Sequence, residues 1–376
     1  MADKKTETKT SWPFSTFLLF SAIFSVVLAL LVYQLEPFEP VPLPVHELIG
    51  AVARAPASND RLLRGSELVG VGALVAAEDV AYDAQSGVIY TGCVDGWVKR
   101  VRLNDSGVDS WINTGGRPLG LAVDHANHKL LVADAEKGLL SISEDGVIEV
   151  LSDEAEGLKF KLTDGVDIAK DGTIYFTDAS HKYHLKDFIW DILEGKPHGR
   201  LLSYDPSTKQ TKVLVRGLYF ANGVAVSPDQ SSVIFCETVM RRCRKYHLKG
   251  ERKGSVDPFI ERLPGMPDNI RYDGEGLYWI ALSTEATWSW NLAQKFPFIR
   301  KAIAIIVRHI GRPHMEKNGG VFAVDLEGKP VFHYYDPALS LISSGAKIGN
   351  HLYCGSIAYP YIIRLNLQDY PARPTT

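Results

Sequence analysis

The chain is poor in cysteine, with 4 in 376 residues, too few for a disulfide scaffold and without the spacing of a zinc finger. It lacks an excess of positive charge. Its net charge of -3 gives no basic footprint, and nucleic acid is excluded as a partner on that ground. No small-residue cleavage pattern follows the N-terminal apolar run, which continues directly as QLEPFEPVPLP. The stretch that begins TWSWNLAQKF at Thr287 is apolar but too short and too charged to cross a bilayer.

What is there begins with that N-terminal run. Lys4, Lys5 and Lys9 precede SWPFSTFLLFSAIFSVVLALLVYQL, which ends at Glu36. About 20 apolar residues suffice to span a bilayer. Residues 14–35 are therefore read as an uncleaved signal anchor, a cleaved signal peptide being the alternative. The lysines keep residues 1–13 cytosolic, so the remainder is lumenal or extracellular, a type II arrangement in the endomembrane system. Residues 36–59 form a Pro-rich linker. Asn104 opens the sequon Asn104-Asp105-Ser106 in a polar turn, a glycosylation site compatible with that topology. Cys236 and Cys243 flank ETVMRR between two strand-like runs. A hairpin there would join them as a disulfide; two unlinked thiols is the other reading.

From residue 60 to 376 the sequence becomes short apolar runs separated by Gly, Asp and Asn, the pattern of many short strands. A repeat of roughly 45 to 60 residues recurs six times, each copy opening on a small or polar residue, often with glycine next. The openings are Glu78, Leu119, Asp164, Asn222, Asp268 and Ser344. The reading is an all-β, six-bladed β-propeller whose last blade is closed by residues 60–75. Two stretches interrupt it with helical spacing, KDFIWDILEGKPHG and the one from Thr287. Both are expected as helical insertions on one face, as caps, a lid or an interfacial helix.

Inner strands of a propeller line one channel, so the repeat openings face one another. Glu78, Asp164, Asn222 and Asp268, with Asn269 alongside, offer carboxylates and carboxamides, the oxygen donors calcium prefers. Zinc or copper would require His or Cys, and none stands at these positions. Carboxylates facing one channel need a counter-charge, so calcium is the expected cofactor.

The motifs PLGLAVD, YFTDAS, KPHGRLLSYDP, FANGVAVSPD and LPGMPDNI resemble those of the strictosidine synthase-like family, in order and across nearly everything after the anchor. The resemblance implies a propeller akin to paraoxonases and gluconolactonases, with a channel calcium bound by Glu, Asn, Asn, Asp and Asn. Glu78, Asn222, Asp268 and Asn269 match, and Asp164 replaces an asparagine. The resemblance also places the glutamate that strictosidine formation needs at Ser343 or Ser344, where a hydroxyl cannot act as base. The paraoxonase His pair falls on Leu119 and about Ala135. The catalytic candidates left are Asp164, His181 and His184, with His198 assigned to shaping a turn. Three functions remain: a calcium-dependent hydrolase of small esters or lactones, a non-catalytic binding propeller, and strictosidine synthesis, the least supported.

Overall fold

A computed structural model describes residues 14–312 and 316–375, so the expected cytosolic tail, 1–13, lies outside the described residues. Six sheets, each with four antiparallel core strands, fan around one axis. Their innermost strands are Ala81–Asp83, Pro118–Asp124, Thr163–Ile168, Ala221–Val226, Gly265–Tyr272 and Ile342–Ile348, in blades one to six. The ring closes through Glu67–Val69, which pairs antiparallel with Ile362–Asn366 as the outermost strand of blade six. Ala57–Asn59 lies further out, parallel to Pro330–Asp336 at the rim of blade five. Closing the last blade with a strand from the start of the domain ties the two ends of the chain together.

Strands one and two of the blades carry clusters of buried apolar side chains where neighbouring sheets meet. Between blades two and three, Ala122 and Leu131 pack on Val166, Phe176 and Leu202, all buried. Such face-to-face packing removes each sheet's apolar side chains from water and supplies the main driving force for assembly.

Near the axis the strands crowd. A β-carbon on Gly120 would lie 2.3 Å from the Asp164 carbonyl oxygen, and one on Gly223 would lie 2.5 Å from the Ile270 nitrogen. On Gly165 it would approach the Asn222 carbonyl oxygen at 2.9 Å. This is the physical meaning of the glycine in the repeat: only hydrogen fits between adjacent inner strands. At the same point the pairing slips between Pro118 and Leu121, Thr163 and Val166, Ala221 and Val224, and Pro267 and Ile270. A bulge of this kind re-aims the side chain it carries.

Among the described residues three α-helices interrupt the blades, besides one at the N-terminus. Helix α1 (Phe14–Leu35) is the N-terminal run, and its segment Thr16–Leu35 is long and apolar enough to cross a membrane, with mean hydropathy 2.5. Helix α2 (Phe188–Glu194) follows strand two of blade three, and α3 (Trp288–Lys295) and α4 (Pro297–His309) follow strand two of blade five. Thr287 caps α3 by accepting from the Trp290 amide, and Pro297 starts α4 at a position where no amide donor is needed. In an antiparallel blade, strand two ends at the level where strand one begins. Both insertions therefore sit on the mouth where the repeat openings lie.

Cys236 and Cys243 face each other directly on strands two and three of blade four and are joined as a disulfide. Cys93 and Cys354 are free and buried. Asn104 is exposed in the turn between Trp97–Arg102 and Val108–Asn113.

Replacing Gly223 by alanine should destabilise the propeller by about 1–3 kcal/mol, the usual cost of overpacking. A thermal melt checks it, and an unchanged midpoint would mean the inner strands can move apart.

Candidate metal centre

The bulges deliver Asp164, Asn222, Asp268 and Asn269 to the axis, Glu78 reaches it from just before the first inner strand, and all five are buried. Carboxylate oxygens of Glu78, Asp164 and Asp268 lie within 4.8 Å of one another. Asn269 donates from Nδ2 to Glu78 Oε1 at 2.7 Å. Thr177 fixes Asn222 by donating to its carbonyl at 2.7 Å, while accepting from the Gly165 amide at 2.9 Å. Of the expected ring positions, Leu119 supplies no donor, and Ser343 and Ser344 are turned to the backbone. Ser343 donates to the Glu78 carbonyl at 2.6 Å, and the Gly355 amide donates to Ser344 at 3.2 Å.

Electrostatics at the ring are strained. Burial first, then the charges of Asp79, Asp268 and Asp164, hold the Glu78 carboxyl well above its usual range. Burial and Asp164 do the same to Asp268. Burial with the Asp79 charge pushes Asp164 up to about 8. Arg117 is the nearby cation, yet its guanidinium donates to the carbonyls of Gly92, Pro118 and Ala76 and not to a ring carboxylate. Two oxygens, Glu78 Oε2 and Asn222 Oδ1, are buried without a hydrogen-bond partner. Carboxylate and carboxamide oxygens converging with unpaired lone pairs are the donor set of a hard cation. The cluster fits a metal ion.

Asp79 and Arg271, which the repeat did not single out, form the layer below. Asp79 accepts from Arg271 and from the Leu121 amide, and Arg271 also donates to the Leu121 carbonyl. They join blades one, two and five across the channel. Adjacency of Asp79 to Glu78 was visible in the sequence, but its partner lies 192 residues away.

Above the ring opens a cavity of about 180 Å³. Its floor is Glu78, Asn222 and Asp268, and Asp164 does not line it. Phe188, Ile189 and Ile192 of α2 face Trp290 of α3 and Ile303 and Val307 of α4 across it. Trp290 Nε1 is a buried donor without a partner. Neither histidine candidate lines this cavity. His181 donates from Nδ1 to the His198 carbonyl at 2.6 Å, and His184 is exposed. His198 donates to Asp191 at 2.9 Å, which also accepts from Ser180 at 2.5 Å, a network that holds the PHGR turn.

A six-bladed propeller with an acidic ring under a helical roof is the class this geometry defines. The profile described as Strictosidine synthase matches residues 164–251, and the one described as Strictosidine synthase-like, N-terminal, matches 57–101. Protein STRICTOSIDINE SYNTHASE-LIKE 6 of Arabidopsis thaliana is 52% identical over 96% of this chain and 97% of its own length. Protein STRICTOSIDINE SYNTHASE-LIKE 4 of the same plant is 53% identical over 96% and 98%. The chain belongs to the strictosidine synthase-like family. Adipocyte plasma membrane-associated protein of Gallus gallus is 32% identical over 94% of this chain and 90% of its own. Among solved structures, a gluconolactonase from Xanthomonas campestris matches with TM-score 0.59 at 16% identity, over 85% of this chain and 98% of that one. A calcium-binding protein, regucalcin, from Agrobacterium tumefaciens matches with TM-score 0.56 at 15% identity, over 84% and 95%. At these identities the two structures share the fold.

A carboxyl whose folded-state pKa lies above its unfolded value binds protons more tightly when folded. Its stabilisation is complete below the unfolded pKa, about 3.8 for Asp164, and is lost as pH rises through about 8. In chelator, the melting temperature should therefore fall across that window. Asp164→Asn should flatten the slope, and an unchanged slope would remove Asp164 from the account.

Proposed function

We propose that this chain is a membrane-anchored, calcium-dependent hydrolase of small esters or lactones. The observation that carries the reading is the ring of buried, incompletely partnered oxygens at the floor of an apolar cavity. Glu78, Asp164, Asn222 and Asp268 would hold the ion, with Asn269 keeping Glu78 in place. Bound calcium would act as a Lewis acid on the substrate carbonyl. The apolar walls from α2 and α4 take the hydrocarbon part of the substrate and limit access of bulk water. Trp290 Nε1 offers a donor to a substrate oxygen. Water adds to the carbonyl carbon, the ester C–O bond breaks, and the proton passes to the leaving oxygen. The fold shared with a gluconolactonase and a calcium-binding regucalcin supports this reading.

A second reading, a calcium-stabilised binding propeller, is favoured by one observation. No histidine stands among the described residues that line the cavity, and the carboxylates there other than the ring, Glu285 and Glu316, are ion-paired with Lys317 and Arg312. Purified full-length protein, assayed against aryl esters and lactones with and without chelator, separates the two. Calcium-dependent turnover supports the hydrolase; bound calcium with no turnover across the panel supports the binding propeller.

Strictosidine formation does not suit this site. Ser343 and Ser344 are bound to backbone groups and present no base, so tryptamine and secologanin should give no product above background. For topology, α1 serves as the anchor, residues 1–13 are cytosolic, and the propeller with Asn104 is lumenal or extracellular. Digestion of the propeller by protease added to sealed microsomes would end that assignment.

Elemental analysis should find calcium in the wild type and little in Asp268→Ala. A ligand that binds the folded state alone stabilises it by about 2.7 kcal/mol at 100 times its Kd, so chelation should lower the melting temperature. Absence of calcium together with an unchanged melt would overturn the metal and, with it, the hydrolase.

A further inference from the structure

Helix α4 is built the wrong way round for a helix in water. Arg300 and Lys301 are buried with Ala304, while Phe298, Ala302, Ile306 and Ile310 form an outward stripe, four residues apart. Phe298 is 58% exposed, Ile306 41% and Ile310 83%. Trp288, 76% exposed, and Phe296 extend the apolar surface at the α3 end.

The buried charges explain which way the helix faces. Arg300 donates to the carbonyls of Ala293, Leu193 and Glu194, and to that of Val41 in the linker. Lys301 pairs with Glu39 at 2.6 Å and lies 4.9 Å from the Tyr33 ring, on the last turn of α1. Arg308 pairs with Glu36 at 3.2 Å, one residue beyond α1. The basic side of α4 thus grips the chain where it leaves the apolar helix, and the stripe is left exposed, without a partner among the described residues.

We propose that α4 is an interfacial helix whose stripe rests in the bilayer that holds α1, and that the cavity beneath it is filled from that bilayer by an acyl-chain amphiphile. Continuity with α1 identifies the occupant. A surface held this close to the end of a spanning helix meets lipid headgroups, where aromatic and aliphatic side chains above a basic flank are favoured. The other flank of α4 carries Ile303 and Val307, which line the cavity, so one helix separates the cavity from lipid. An amphiphile fits its two ends: an apolar chain along the roof and an oxygen-bearing head toward the ring. Naming the head an ester or lactone rests on the hydrolase reading; the interface does not.

The test uses the full chain in lipid nanodiscs with no turnover required. Spin labels are placed at Phe298→Cys, Ile306→Cys and Ile310→Cys, and at Gln85→Cys, an exposed turn on the opposite mouth. The native thiols Cys93 and Cys354 are buried, so labelling is selective. Oxygen should reach the stripe labels severalfold better, relative to a water-soluble nickel complex, than it reaches Gln85→Cys. Equal accessibility to nickel overturns the interface, and shielding from both reagents reports a protein partner and overturns it equally. A fatty acid carrying a diazirine in its chain, added to the same nanodiscs, should crosslink to Ile303, Val307 or Trp290 after illumination. Adducts confined to α1 overturn filling of the cavity from the bilayer. Failure of ester hydrolysis alone leaves both results standing.

Discussion

The inner strands come so close around the axis that no side chain fits between them at Gly120, Gly165 or Gly223. Much else in the propeller follows from that crowding. The inner strands of blades two to six give way by a bulge at this level, and the residue before the glycine is turned out of the packed sheet. In blades three and four those residues are Asp164 and Asn222. Where glycine is replaced, the side chain has other work: Asn269 donates to Glu78, and Asp79 binds Arg271 and the Leu121 amide. Hydroxyls complete the links between blades. Thr238 donates to the Pro267 carbonyl at 2.8 Å and Thr177 to that of Asn222.

Crowding at the axis also sets the electrostatics. Backbone packing takes three carboxylates almost wholly out of water, independent of whether their charges are compensated. Removal of an ionised carboxylate from water costs several kcal/mol unless partners replace the solvent. Arg271 is committed to Asp79 and Arg117 to carbonyls, so the ring must take up protons or a cation. The two compete for the same oxygens. Raised carboxyl pKa values and affinity for a hard cation are therefore one property of this ring, seen with and without the ion.

Much of this was legible in the sequence because a repeat exposes equivalent positions even when strands are short. The six openings marked the ring, and the spacing of Cys236 and Cys243 at two ends of one connection matched a hairpin that pairs them directly. Leu119 and Ser344 broke the chemical pattern, and neither supplies an axial oxygen. Two features were not legible. Ala57–Asn59 is too short to show alternation and takes its strand form from pairing with Phe332, His333 and Tyr334. The histidines His181 and His184 follow a strand that ends near the mouth, but the α2 insertion carries the chain aside, and His181 is spent on a carbonyl.

The orientation of α4 was equally hidden, and it shows how the N-terminal apolar helix and the site are coupled. A count of apolar and basic residues between Phe296 and Arg308 gives an amphipathic helix without saying which face turns inward. Hydrophobicity alone would turn the isoleucines in. Arg300 decides otherwise, because it satisfies carbonyls from α3, from the C-terminal end of α2 and from Val41, and unsatisfied buried carbonyls cost about 1–3 kcal/mol each. Those same bonds tie the segment leaving α1 to both walls of the cavity. The roof over the acidic ring is thus braced by the segment that leaves α1, so release of that segment from α4 would loosen the cavity.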